Sequence, residues 1–233
     1  MALTRRMFAQ LVASALLLRH LPALAQTPLT VAVGGSPGPN ITQRVVSAGA
    51  PADMLLLAVA PEKLVGLSSF DLSRQTAIPF HDDIRALPKL GRLAGRASTL
   101  SLEALLALKP DLVVDCGNAD ETWLSQARQV SAQTHIPWLL INGELRHTPE
   151  QLRAAGEALG VVSRTAMQAA LARRFIDNAI AFSHTAAANL RFYAARGARG
   201  LETGLQGSLH TEAAELLGLQ NVAHIPGRQG LTQ

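Results

Sequence analysis

Apolar and polar positions follow two rhythms along this chain, and the changes of rhythm mark its elements. Residues 44–47 (Arg-Val-Val-Ser) are a short run of strand type, and the nearly all-apolar stretch from Met54 to Val59 follows at once. That stretch predicts a buried helix over 51–59. Pro51 falls at an early position where its missing N–H costs nothing, and Asp53 lies near the positive helix start. Pro61 ends the helix, and residues 64–67 (Leu-Val-Gly-Leu) predict the next strand. Strand, helix and strand in about 24 residues make a compact βαβ unit. Residues 68–93 have little periodicity, and a loop of that length in a compact domain is usually functional.

Further on, residues 102–108 form a leucine-rich helix stopped by Lys109-Pro110. Proline has no N–H to donate and disfavours helix at the residue before it. A buried strand at 112–116, a helix at 122–130, a strand at 138–141 and a loop at 142–147 follow. Two helices come next, 149–159 and 163–182, separated by Gly160. The second carries apolar positions Ala166, Ala170, Leu171, Phe175 and Ile176. Past residue 186 the pattern predicts a strand at 190–195, a glycine-rich loop at 197–207, a helix at 212–217 closed by Gly218, and a strand beginning at 221–224. Upstream, the apolar run 29–33 enters Gly34-Gly35-Ser36-Pro37-Gly38-Pro39, a turn or short hairpin leading into the fold. Two prolines and no following helix separate it from a phosphate-binding loop. Helices alternating with short strands predict an α/β architecture.

The first 25 residues read as an export signal rather than as fold. Arg5 and Arg6 precede an apolar run of about 12 residues from Met7 to Leu18, and Ala23-Leu24-Ala25 supplies a cleavage site. The run falls short of the roughly 20 residues that span a bilayer. Thr4-Arg5-Arg6-Met7-Phe8 also resembles a twin-arginine signal. Removing this segment changes the charge picture. Of 21 Lys and Arg residues it takes Arg5, Arg6 and Arg19, leaving 18 against 17 Asp and Glu. With no basic run, one Tyr and two Trp, the chain offers no phosphate stripe and no stacking platform for nucleic acid. The lone Cys116 forms no intramolecular disulfide, so a packed core must hold the exported fold.

Signals for enzymatic chemistry are thin. There is no paired-histidine zinc motif and no phosphate loop. A serine nucleophile at Ser68 or Ser69 with a distant histidine is the one hydrolytic arrangement these residues permit. Six histidines follow residue 25, at 81, 135, 147, 184, 210 and 224, and only His81, beside Asp82-Asp83, has local company for a metal.

Four segments together resemble a known family. Residues 44–49, 64–67, 87–91 and 101–115, the last containing Leu-Lys-Pro-Asp-Leu-Val, are similar in order and spacing to the substrate-binding proteins of iron–siderophore, haem and cobalamin ABC importers. Residues 191–197 and 200–204 resemble that family's second-lobe opening, and 215–223 its helix-to-strand passage. The likeness covers roughly 44–233. It implies a periplasmic, non-enzymatic protein of two α/β lobes, each a sheet with helices on both faces in three layers. The first lobe would span 26–160 and be complete, a joining helix would fall in 161–187, and 188–233 would form an incomplete second lobe, because members typically continue further. The chain departs from the family at its first turn, Gly49-Ala50-Pro51-Ala52-Asp53, where Gly-Pro-Ser-x-Thr-Glu is usual.

The resemblance also implies where function sits. Ligand, expected to be a small-molecule metal complex, would lie in the cleft against loops that follow strands, and the protein would need no cofactor of its own. Ala50, Pro51 and Asp53 follow the first strand, the 68–74 loop with Ser68 and Arg74 follows the second, and Gly117 and Asn118 follow the third. Arg74, Arg92 and Arg96 are the guanidinium donors in or beside the long loop, suited to carboxylate-like oxygens. Tyr193 and Arg196 would close from the second lobe. Asp120, Glu121 and Glu212 would be the carboxylates that dock on arginines of the inner-membrane permease, although by charge alone they are acids that suit helix starts. Direct binding of a metal or a molybdate-like oxyanion, or a non-functional fragment of such a receptor, are the alternative readings.

Overall fold

The computed structural model describes residues 29–35, 38–39, 41–73, 80–93, 98–185, 189–227 and 231–232. The expected export signal, Arg74 and Arg96 lie outside the described residues. Strands β2 (Val45–Ser47), β3 (Leu112–Gly117) and β4 (Trp138–Asn142) run parallel, and β1 (Thr30–Val33) closes the sheet antiparallel to β4 in the order β1-β4-β3-β2. The apolar run 29–33, to which the sequence pattern assigned no element of its own, is therefore an edge strand of the main sheet, and the glycine-rich stretch expected as a turn begins right after it. The partner of β1 lies a hundred residues downstream, and an edge strand needs only one bonded flank.

Side chains alternate across the strands and build a core on each face. Val45, Leu112, Val114, Leu139 and Ile141 meet Leu56 and Val59 of α1 (Ala50–Val59), Leu152, Ala155 and Leu159 of α5 (Thr148–Leu159), and Ala169 of α6 (Val162–Ser183). Val46, Val113, Trp138 and Leu140 meet Leu105 of α3 (Leu102–Ala107) and Ala127 of α4 (Glu121–Thr134). The sheet thus has helices on both faces, as expected, and its parallel strands are apolar on both sides for that reason.

The Lys109-Pro110 punctuation is physical. Lys109 adopts φ 47°, in the left-handed region, and α3 ends there. Asp111 Oδ2 accepts from the N–H groups of Gln43 and Arg44, while the Arg44 guanidinium donates to the carbonyls of Leu108 and Lys109. One Arg–Asp clamp therefore satisfies carbonyls at the end of α3 and sets the start of β2 beside β3.

Three expectations change in detail. Residues 64–67 form no strand; isolated bridges tie Val45 to Leu64 and Leu67 to Lys89, so the first βαβ unit ends in an extended run held at its two ends. The 68–93 loop contains a short helix, α2 (Asp82–Arg85). Along the 22-residue α6, Thr165, Ala169 and Ile176 are the buried residues, while Leu171 and Phe175 face outward. Alanine-rich helices carry a weak apolar stripe, so the packing partner, here α5, chooses the face.

Beyond α6, the described residues form two small two-stranded pairs. β5 (Arg191–Phe192) lies parallel to β7 (Gln220–Asn221), and β6 (Thr203–Gly204) antiparallel to β8 (Leu231–Thr232), with α7 (Glu212–Leu216) between them. The strands expected at 190–195 and 221–224 shrink to these two-residue ladders. The second region contacts the first where Glu212 Oε1 accepts from the Leu145 N–H at 2.8 Å.

Candidate functional site

The parallel strands end on one edge of the sheet, and the loops that follow β2 and the 64–67 run enclose a hollow there. It measures about 420 Å³ and is lined by Ala50, Ser68, Ser69, Lys89, Arg92 and Thr99. Crevices outside the carboxyl ends of parallel strands are the usual ligand position in open α/β sheets.

Its wall is built from behind by Asp53. This carboxylate is fully buried. Oδ1 accepts from the Ser68 N–H at 2.8 Å, and Oδ2 from the Ser69 N–H at 2.8 Å and the Ser68 hydroxyl at 3.0 Å. Asp53 therefore fixes the turn that carries Ser68 and Ser69 and does not itself line the hollow. The serines lie fifteen and sixteen residues farther along the chain, so this link is invisible locally and only the folded turn brings them together.

The opposite wall is a segment pinned along its length. The Leu67 N–H donates to the Pro88 carbonyl and the Leu90 N–H to the Leu67 carbonyl, which seats Lys89 at the rim. The Leu93 N–H donates to the Ala48 carbonyl. The Arg92 N–H donates to Thr99 Oγ1, and its carbonyl accepts from the Thr99 and Leu100 N–H groups and the Ser98 hydroxyl. Gly91 turns between the two cations at φ 102°, a conformation L side chains rarely adopt, and a Cβ there would meet Thr99 Oγ1 at 2.7 Å. Lys89 and Arg92 are exposed and have no ion-pair partner among the described residues.

Of the residues singled out from sequence, the structure thus gathers Ala50, Ser68 and Arg92 in one place. Pro51 follows in the first turn of α1 and is exposed, outside the residues that line the hollow. Gly117, at φ 143°, and the half-buried Asn118 continue from β3 outside the residues that line the hollow. Tyr193 and Arg196 are exposed in the second region, where Arg196 Nη1 sits 3.0 Å from His210 Nδ1, and neither lines the hollow. Burial and the adjacent Arg196 charge both lower the His210 pKa. Lys89 and Thr99 were not singled out in advance, whereas Ser69 lies in the 68–74 loop expected to face a ligand. Lys89 follows a proline in an aperiodic loop, and only its bridge to Leu67 gives it a position.

The three acids expected at docking surfaces all have partners within the chain. Asp120 Oδ1 accepts from the Thr122 and Trp123 N–H groups and caps α4. Glu121 pairs with Arg128 while its side chain stays 76% exposed. Glu212 holds the Leu145 N–H. His81 bonds Asp83 at 2.7 Å on the surface, and no group of three His, Cys, Asp or Glu side chains gathers among the described residues. Burial first, and then the Asp115 charge, push the Cys116 thiol up to about 12, so it is no nucleophile at neutral pH.

No family model and no curated protein sequence matches the chain. Solved structures do. An ABC transporter solute-binding protein from Sulfurospirillum deleyianum superposes with a TM-score of 0.70 at 23% identity, over 81% of this chain and 59% of that one. The periplasmic vitamin B12-binding protein of Vibrio cholerae gives 0.62 at 18%, over 84% and 71%. The molybdate periplasmic binding protein of Haemophilus influenzae gives 0.57 at 19%, over 82% and 64%. The chain spans about three fifths of the length of the first of these. With helices on both faces of a parallel sheet and a 22-residue helix leading to a second region, the chain has the fold of the solute-binding proteins of ABC importers.

Proposed function

We propose that this protein is the exported solute-binding component of an ABC importer, which captures a small metal complex and delivers it to a membrane permease. The complex would be an iron chelate, such as a siderophore or haem, or cobalamin. The observation that carries the reading is the hollow at the carboxyl ends of the parallel strands, with Ala50, Ser68 and Arg92 on its walls. Pre-formed walls favour capture because little order remains to be imposed on binding. Asp53 and the pinned 88–93 segment supply that order. Gly117, Asn118, Tyr193 and Arg196 would add contacts to a larger ligand that reaches beyond the hollow, as would Arg74 and Arg96. The vitamin B12-binding neighbour supports a metal complex as cargo.

Delivery requires a surface for the permease. Glu121, its side chain 76% exposed, and the exposed Asp120 beside it suit this role, and the half-buried Glu212 would serve on the second region. An exported location accords with the twin-arginine-like start, and no helix among the described residues is long and apolar enough to cross a membrane. Calorimetric titration of the purified protein with ferric siderophores, haem and cyanocobalamin tests the reading. Saturable binding of one of them at micromolar affinity or tighter is expected. A folded protein that binds none of them contradicts it.

A further inference from the structure

The hollow has a definite electrostatic sign. Among the described residues, its side-chain functional groups are two cations, Lys89 and Arg92, and three hydroxyls, Ser68, Ser69 and Thr99, with no carboxylate on its lining. One anion lies close behind, Asp53, but its two oxygens are turned to the Ser68 and Ser69 donors and are buried. That single buried charge offsets one of the two cations, so the face presented to a ligand stays positive. The helix α1 opens beside Ala50 and adds the partial positive charge of its start.

Resting on the solute-binding reading above, we infer that the ligand group seated in this hollow is an anion, gripped by Lys89 and Arg92, with the hydroxyl groups of Ser69 and Thr99 as neutral donors. Two sources share that chemistry: a free tetrahedral oxyanion, and the carboxylates of a ferric chelate. A bare metal cation does not fit, because like charges repel it and, among the described residues, no carboxylate or imidazole lines the hollow to hold it. Lys89 and Arg92 divide the work. Arg92, on a backbone fixed by four hydrogen bonds, presents a planar fork to two oxygens at once. Lys89 supplies a point charge on a flexible stem and follows the ligand's shape.

Both cations are exposed and belong to neither core of the sheet, so their glutamine variants keep the fold. The test titrates the full chain and its Lys89→Gln, Arg92→Gln and double variants with sodium molybdate, ferric citrate and cyanocobalamin, the last having no net charge. Binding of molybdate or ferric citrate that weakens about tenfold in each single variant, further in the double, and also with rising salt establishes the anion site. Which of the two binds names the source. Cyanocobalamin binding that is equal in all four proteins, with no response to either anion, overturns the anion inference and leaves the receptor reading standing. No binding of any probe to protein shown folded by circular dichroism overturns both.

Discussion

Asp115 occupies an uncomfortable place at the end of β3. It is 4% exposed, and among the described residues Oδ1 accepts only from the N–H of Cys116. Burial pushes its pKa from 3.8 up to about 7. The unfolded chain therefore releases this proton near the lower value and the folded protein only near the upper one. Between them the unfolded state is the more deprotonated, so stability falls as pH rises through that window and stays reduced above it. Asp115→Asn keeps the shape and removes the titration. It is expected to be the more stable protein at about pH 8, by on the order of a few kcal/mol, with the difference closing below about pH 4. Urea unfolding at the two pH values measures this, and a gap that does not change with pH refutes it. The sequence marks Asp115 only as an acid after two valines. The expected buried strand at 112–116 places it inside, but nothing in the local pattern says that a carboxylate there finds a single backbone donor. The same holds for Asp53, legible as an acid near a helix start, but not as the brace behind Ser68 and Ser69.

Elements with strong punctuation were legible and elements defined by partners were not. Helix α3 stops at Lys109-Pro110 because of one ring and one missing N–H, and Gly160 at φ 69° separates α5 from α6 as its spacing suggested. Strand β1 and the bridged run 64–67 depend on pairing across long sequence separations, so their character was hidden. The face of α6 was hidden too, and Gly156 explains it. A Cβ at that position would lie 1.9 Å from Thr165 Oγ1 and 2.9 Å from Thr165 Cβ. The absence of a side chain on α5 lets a buried threonine of α6 nest there, which turns Thr165, Ala169 and Ile176 inward. Alanine is the better helix former by roughly 1 kcal/mol, yet Gly156→Ala should destabilise by about 1–3 kcal/mol, because the two helices must separate or Thr165 must leave its rotamer. Thermal unfolding decides the sign. Adding Thr165→Ala should recover part of the loss, whereas a single variant that melts higher than the parent would sink the packing argument.

At the scale of the molecule, the sheet, the hollow and α6 form one body through few but well-placed ties. Arg164 reaches from the first turn of α6 to the Val59 carbonyl and both oxygens of Glu62, and Gln168 Nε2 to the Ala58 carbonyl, fastening the long helix to the far end of α1. Burial acts to raise the Glu62 pKa, but the Arg164 guanidinium, a backbone hydrogen bond and the Lys63 charge together outweigh it and hold the carboxyl below its usual range. The N-terminal end of α1 is the end that borders the hollow, so the helix links the wall of the hollow to α6 as a rigid strut. Farther along, the Glu212 carboxylate holds the Leu145 N–H on the turn before α5. A hydrogen bond to a charged group contributes about 1.5–3 kcal/mol, enough to bias how the second region sits on the first. Glu212→Ala should therefore leave the main unfolding transition in place, because the two cores of the sheet do not include it. Amide exchange at Leu145 should quicken by about tenfold or more, together with exchange in β6 and β7. Quickening at Leu145 alone would mean that the bond is local and that the second region is seated by other contacts. A loss of the main transition would mean that the second region is part of one cooperative core.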